Sequence, residues 1–79
     1  LTGSAELVDY LARRLVEHDD QVEVEEVEED GALVIRLHVA PDDLGRVIGR
    51  GGRIARALRA LVRAGGAHGD RRVVLEIVE

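Results

Sequence analysis

Residues 45–54 read Gly-Arg-Val-Ile-Gly-Arg-Gly-Gly-Arg-Ile. This stretch constrains the chain more than any other. Gly49-Arg50-Gly51-Gly52 places glycine at both ends of a four-residue turn, with the apolar pair Val47-Ile48 before it and an arginine-rich helical pattern after it. Glycine permits positive φ and lets one backbone approach another closely. A turn of this kind, opening onto a helix N-terminus, presents backbone N–H groups and a favourable dipole to an anion. The sugar-phosphate chain of a nucleic acid is an anion that it suits.

The flanking pattern supplies the rest of the fold. Ser4 is suited to N-cap a helix, with Ala5 and Glu6 in the first turn. Leu7, Val8, Leu11, Ala12, Leu15 and Val16 then recur at helical spacing, predicting a helix to about Glu17 or His18. Asp19-Asp20 breaks that pattern. Val22 and Val24 alternate with Gln21, Glu23 and Glu25 as a strand with one wet face, while Val27 falls out of phase and predicts a bulge or local twist near Glu26. Asp30-Gly31 signals a two-residue hairpin. The second strand runs from Ala32 to Val39, with Leu33, Ile35, Leu37 and Val39 on one face and Arg36 and His38 on the other.

Pro41 ends that strand and opens a short helix, Asp42 to Ile48, whose two aspartates suit the N-terminal dipole. Beyond the glycine turn, Ile54, Ala57, Leu58 and Leu61 predict the core stripe of a helix reaching about Ala64. Gly65-Gly66 stops that helix and Gly69-Asp70 continues the loop. Arg72 to Val78 reads as the last strand. The order is α-β-β-α-α-β. A tight hairpin makes the first two strands antiparallel, and the helix pair acts as a crossover that returns the third strand parallel to the second. The expected fold is α+β, a three-stranded mixed sheet covered on one face by helices.

Length and charge narrow the function. Seventy-nine residues make one small domain, burying only about 60% of its unfolded surface. Residues 1–4 are read as a tag remnant or a disordered N-terminus, and residues 5–79 as a single domain. There is no cysteine, and no apolar run has the length of a membrane span. The net charge of −5 conceals a division: residues 1–40 hold eleven acids and three arginines, and residues 41–79 hold eight arginines and five acids. The second half therefore attracts phosphate while the acidic first strand repels it.

Arg50 lies in the turn, and Arg53, Arg56, Arg59 and Arg63 follow at spacings that keep them on one side of the helix. Cations at a helix N-terminus oppose the dipole at a cost of about 0.3–1 kcal/mol, so Arg50 and Arg53 are misplaced for stability alone. A bound anion would reverse that cost. The glycine spacing fits neither the dinucleotide-binding fingerprint nor the P-loop. His18, His38 and His68 lie in separate elements without ligand spacing, so no metal or other cofactor is expected. No catalytic constellation stands out, and no enzyme is read here. With Tyr10 as the sole aromatic, base-stacking platforms of the RRM and OB type are unavailable.

Val47-Ile48-Gly49-Arg50-Gly51-Gly52-Arg53 resembles the core signature of a KH domain, whose Gly-x-x-Gly loop clamps about four nucleotides of single-stranded RNA or DNA. The element order resembles the type II KH arrangement. The chain as a whole is similar to the small bacterial single-KH RNA-binding proteins of the KhpA (YlqC) family. That resemblance spans residues 5–79, including Val39-Ala40-Pro41-Asp42-Asp43-Leu44-Gly45 and the segment from Arg72 to Glu79. It implies that Gly49, Arg50, Gly51 and Gly52 form a backbone clamp and that Arg53 reaches a phosphate. It also implies that Val47, Ile48 and the strand residues near Leu37 and Val39 wall a groove for bases. Arg46 and Arg56 complete the RNA-binding set.

Ala55 stands where the broader KH signature has a bulky aliphatic residue, implying a shallower groove or room for another helix. The implied partners are single-stranded RNA, a second copy of the chain, and a larger KH-containing protein of the KhpB (Jag, EloR) type. The implied role is that of a cytoplasmic RNA chaperone or post-transcriptional regulator linked to cell elongation and division. The other reading is a protein–protein dimerisation module with secondary RNA contact, favoured by the small residues Ala55, Ala57, Ala60 and Ala64.

Overall fold

The computed structural model describes residues 2–65 and 72–79. The chain runs α1 (Gly3–Leu15), β1 (Glu23–Glu29), β2 (Ala32–His38), α2 (Leu44–Ile48), α3 (Arg53–Gly65) and β3 (Arg72–Ile77). Single 3-10 turns at Asp19–Gln21, Pro41–Asp43 and Arg50–Gly52 link these elements. The sheet order is β1-β2-β3, with β1 antiparallel and β3 parallel to β2. The expected mixed α+β sheet is therefore the observed one. The predicted loop through Gly66, Gly69 and Asp70, and His68 with it, lies outside the described residues.

The hairpin forms as Asp30-Gly31 requires. Both residues have positive φ, 50° and 79°, the combination a type I′ turn needs. Pairing runs without a skipped residue from Glu29↔Ala32 to Glu23↔His38, so of the bulge or local twist expected near Glu26, the bulge is absent. Val27 is out of phase because it faces away from the helices, where it pairs with Val34, which in turn pairs with Val74. Glu26 takes the inward-phased position instead, and its carboxylate accepts a hydrogen bond from the Thr2 N–H at 2.9 Å.

Alternation along β2 sends Leu33, Ile35 and Leu37 to the helix side. They join Ala5, Val8 and Ala12 of α1, Val47 of α2, Leu58 and Val62 of α3, and Leu75 of β3 in the core. The opposite face carries a charge ladder. Arg36 bonds Glu29 on one neighbouring strand and Glu76 on the other, each at 3.2 Å, and His38 pairs with Glu25.

Helix α1 starts earlier and stops sooner than its sequence suggests. Thr2, not Ser4, is the N-cap, its hydroxyl accepting from the Ala5 N–H at 3.2 Å. Gly3 and Ser4 are already helical and Ser4 is buried. At the other end Val16 is extended. Arg13 straps the chain that follows, donating to the carbonyls of Asp19 and Val22 at 2.7 and 3.2 Å.

Helix α3 is rotated from its expected phase. Its buried residues are Ala55, Leu58 and Val62, whereas Ala57 is exposed and Leu61 is 46% exposed. At 100° per residue the helix has three faces. Ala55, Leu58 and Val62 meet the core, Arg56, Arg59 and Arg63 form one flank, and Ile54, Ala57 and Leu61 form the other.

Candidate nucleic-acid interface

Helix α2 has only five residues, too few to be stable alone. It is held from outside. Val47 is fully buried in the core, so it anchors the helix and has no surface to offer a groove. Ile48 is half-buried and packs against the same cluster. Leu37 is also fully buried and cannot line a groove; Val39 is half-buried. Ala55 is buried too, so it fills space beneath α3 rather than forming an outer wall.

The turn after α2 follows from its glycines. Gly49, Gly51 and Gly52 have φ of 77°, 66° and 77°, conformations costly to residues with a Cβ. Gly49 is constrained twice. A Cβ there would sit 2.7 Å from Ile54 Cγ1 and 3.0 Å from the Ile54 backbone nitrogen. At Gly51 the added atom would meet open space. The Gly49 N–H donates to the Gly45 carbonyl at 2.9 Å, and the Gly52 N–H to the Gly49 carbonyl at 3.1 Å. Arg56 reaches back along α3 and donates to the Gly51 carbonyl at 2.9 Å. The N–H groups of Arg50 and Gly51 head the turn and have no partner within it.

Arginines surround this turn. The side chains of Arg50 and Arg53 are exposed and form no hydrogen bond or ion pair among the described residues. Arg56 is exposed while tied to the loop. Arg59 donates to the Leu75 carbonyl at 3.4 Å, which shows that the arginine flank of α3 faces β3. Arg46 lies elsewhere in effect. Its guanidinium donates to Asp43 Oδ1 at 3.1 Å and to the Asp42 carbonyl at 3.4 Å, and lies 3.7 Å from Glu17.

Asp43 escaped the sequence reading, which assigned it to its own helix dipole. No side-chain bond from Asp43 caps α2. Its fully buried carboxylate instead accepts the N–H of Glu17 at 3.1 Å and that of His18 at 3.0 Å. Burial would raise its pKa, but the bonds from His18 and Glu17, together with the nearby charges of His18 and Arg46, hold it below the usual carboxylate value. Two adjacent aspartates carry no signal of which one turns inward, because the partners lie 25 and 26 residues away.

A three-stranded mixed sheet with helices on one face and a Gly-x-x-Gly turn joining α2 to α3 defines a type II KH domain. The family description "KhpA/KhpB, KH domain" matches residues 5–77, and the chain belongs to that family. It is 49% identical to the "RNA-binding protein KhpA" of Aquifex aeolicus over 79 residues, covering the whole of both chains. It is 47% identical to the protein of that name from Caldanaerobacter subterraneus subsp. tengcongensis over 73 residues, 92% of this chain and 97% of its relative. The protein of that name from Borreliella burgdorferi is 40% identical over 74 residues, 94% of this chain and 90% of that one.

Two outcomes follow from this geometry. Gly51→Ala should destabilise by about 1–2 kcal/mol, the left-handed cost alone. Gly49→Ala should cost more, because the contact with Ile54 adds to the same strain; chemical denaturation of both variants checks the order. Asp43 has a lowered folded-state pKa, so its stabilisation is fully present above the unfolded value near 3.9 and is lost as pH falls through the folded value. The midpoint difference between wild type and Asp43→Asn should therefore be steady around neutrality and shrink below about pH 4; thermal melts across that range measure it.

Proposed function

We propose that this chain is a single-stranded RNA-binding protein that grips the RNA backbone at Gly49–Gly52. The observation that carries this reading is the turn itself. Three positive-φ glycines hold an exposed Arg50 at the mouth of α3, with Arg53 beside it and the Arg56, Arg59 and Arg63 flank beyond. The uncommitted N–H groups of Arg50 and Gly51 supply donors for phosphate oxygens, and the arginines supply charge. Relatives that share 92–100% of the chain are named RNA-binding proteins.

The finer reading is an RNA chaperone or post-transcriptional regulator in the cytoplasm, linked to cell elongation and division, with no enzymatic activity. One clamp spans about four nucleotides, so useful affinity calls for a second copy or a larger KH-containing partner of the KhpB type. A second reading, a dimerisation module with secondary RNA contact, is favoured by the exposed Ala57 and Leu61, which lie on the same flank as the half-buried Ile54. The two flanks of α3 are distinct, so one helix serves both RNA and a neighbouring chain in this account.

Binding to a mixed pool of short single-stranded RNAs tests the reading. With about three phosphates neutralised, affinity should fall roughly 15–20-fold between about 50 and 200 mM salt. The double variant Arg50→Asp, Gly51→Asp should remain folded and lose binding. Leu61→Glu should reduce self-association measured by sedimentation, and weaken RNA binding only through lost avidity. Equal binding by wild type and the double variant would remove the clamp and favour the dimerisation reading.

A further inference from the structure

Asp43 is the one carboxylate among the described residues without exposed surface, and it lies outside the Gly49–Gly52 clamp. Burying a charge is costly unless it is paired and hydrogen-bonded. Oδ1 accepts the Glu17 N–H and a guanidinium N–H of Arg46, and Oδ2 accepts the His18 N–H. These donors belong to two different parts of the chain. Glu17 and His18 leave α1, while Arg46 lies in α2.

Helix α2 cannot set its own direction. It has five residues and no side-chain cap, and the Asp43 carboxylate at its entry is bonded to the chain leaving α1. Val47 plugs it into the core, and Gly49 seats its exit against Ile54. An apolar plug fixes depth but tolerates rotation. Hydrogen bonds to two successive backbone amides fix rotation and position together. Asp43 therefore supplies the directional restraint on the element that leads into the glycine turn.

We propose that Asp43 is a positioning residue for the RNA clamp: by locking the entry of α2 to the exit of α1, it sets where Gly49–Gly52 stand and so how tightly they hold RNA. This deepens the RNA-clamp reading and rests on it. Asp43 touches no RNA in this account and acts only through the geometry of α2.

Asp43→Asn keeps the volume but leaves one acceptor oxygen and turns an NH₂ toward a donor. It is compared with wild type well below the thermal midpoint, by amide hydrogen exchange of the free protein and by RNA titration. The expected variant retains its far-UV spectrum and slow exchange along β2, yet exchanges faster at the Gly49 and Gly52 amides. Its RNA affinity falls by about tenfold, with an unchanged slope of affinity against salt because the phosphate contacts are the same in number. A purely structural role would lower the midpoint and leave loop exchange and affinity of the folded protein as they were, which would overturn the proposal.

Should Asp43→Asn fail to fold, Glu17→Pro removes one donor from the α1 side. Val16 already has the extended backbone that precedes proline comfortably, and Glu17→Gln is the control that keeps the N–H. Glu17→Pro should reproduce faster exchange at Gly49 and Gly52 and weaker binding; wild-type values for both would overturn the proposal. The reference titration separates the two levels. A wild type that binds no RNA removes the clamp reading itself, whereas a wild type that binds no better than the folded variants removes the positioning role alone.

Discussion

The architecture turns on one close approach: the Gly49 backbone lies against Ile54, where a Cβ would be 2.7 Å from Ile54 Cγ1. The turn joining α2 to α3 leaves no room for a Cβ at Gly49, so glycine is required at that position. The short α2 gains its place from that contact and from Val47 in the core. The turn in turn brings Arg50 and Arg53 to the head of α3, where their charge opposes the helix dipole. A fold that concentrates unpaired cations and free backbone donors at one corner is arranged for an anion, and the family to which the chain belongs gives that anion a natural identity.

Charge is separated across the sheet in the same sense. β1, rich in glutamate, is one edge, and β3, beneath the arginine flank of α3, is the other. The Glu29–Arg36–Glu76 and Glu25–His38 pairs engage several of the acids on the open face. A chain with negative net charge can thus present a positive corner to phosphate while its far edge turns phosphate away. Net charge alone would have pointed to the wrong class of partner.

The sequence disclosed those features that depend on local backbone chemistry. Asp30-Gly31 dictates its hairpin because two successive positive φ values leave few alternatives, and with the hairpin set, strand order and direction follow. The glycine turn was legible for the same reason. Features decided by packing were less so. Helix α3 carries two overlapping apolar stripes, Ile54-Ala57-Leu61 and Ala55-Leu58-Val62, and only contact with the sheet shows which is buried. Thr2 and Ser4 are both suitable N-caps, so the start of α1 was ambiguous by two residues. The KH resemblance implied that Val47 and the strand around Leu37 wall a groove, although their inward phase gives Val47 and Leu37 to the core. Asp43 was invisible, since its partners come from another element. Of the residues the sequence nominated for RNA, Gly49–Gly52, Arg53 and Arg56 lie together, while Arg46 is engaged with Asp43.

The central claim, that RNA is held at the glycine turn, is tested most directly by following backbone amide resonances while a short single-stranded RNA is titrated in. The account predicts the largest shifts at Arg50, Gly51, Gly52 and Arg53, with smaller ones along Arg56 and Arg59 and none at Val27, Val34 or Glu25 on the open sheet face. Shifts concentrated on that open face, with the glycine turn unmoved, would contradict it.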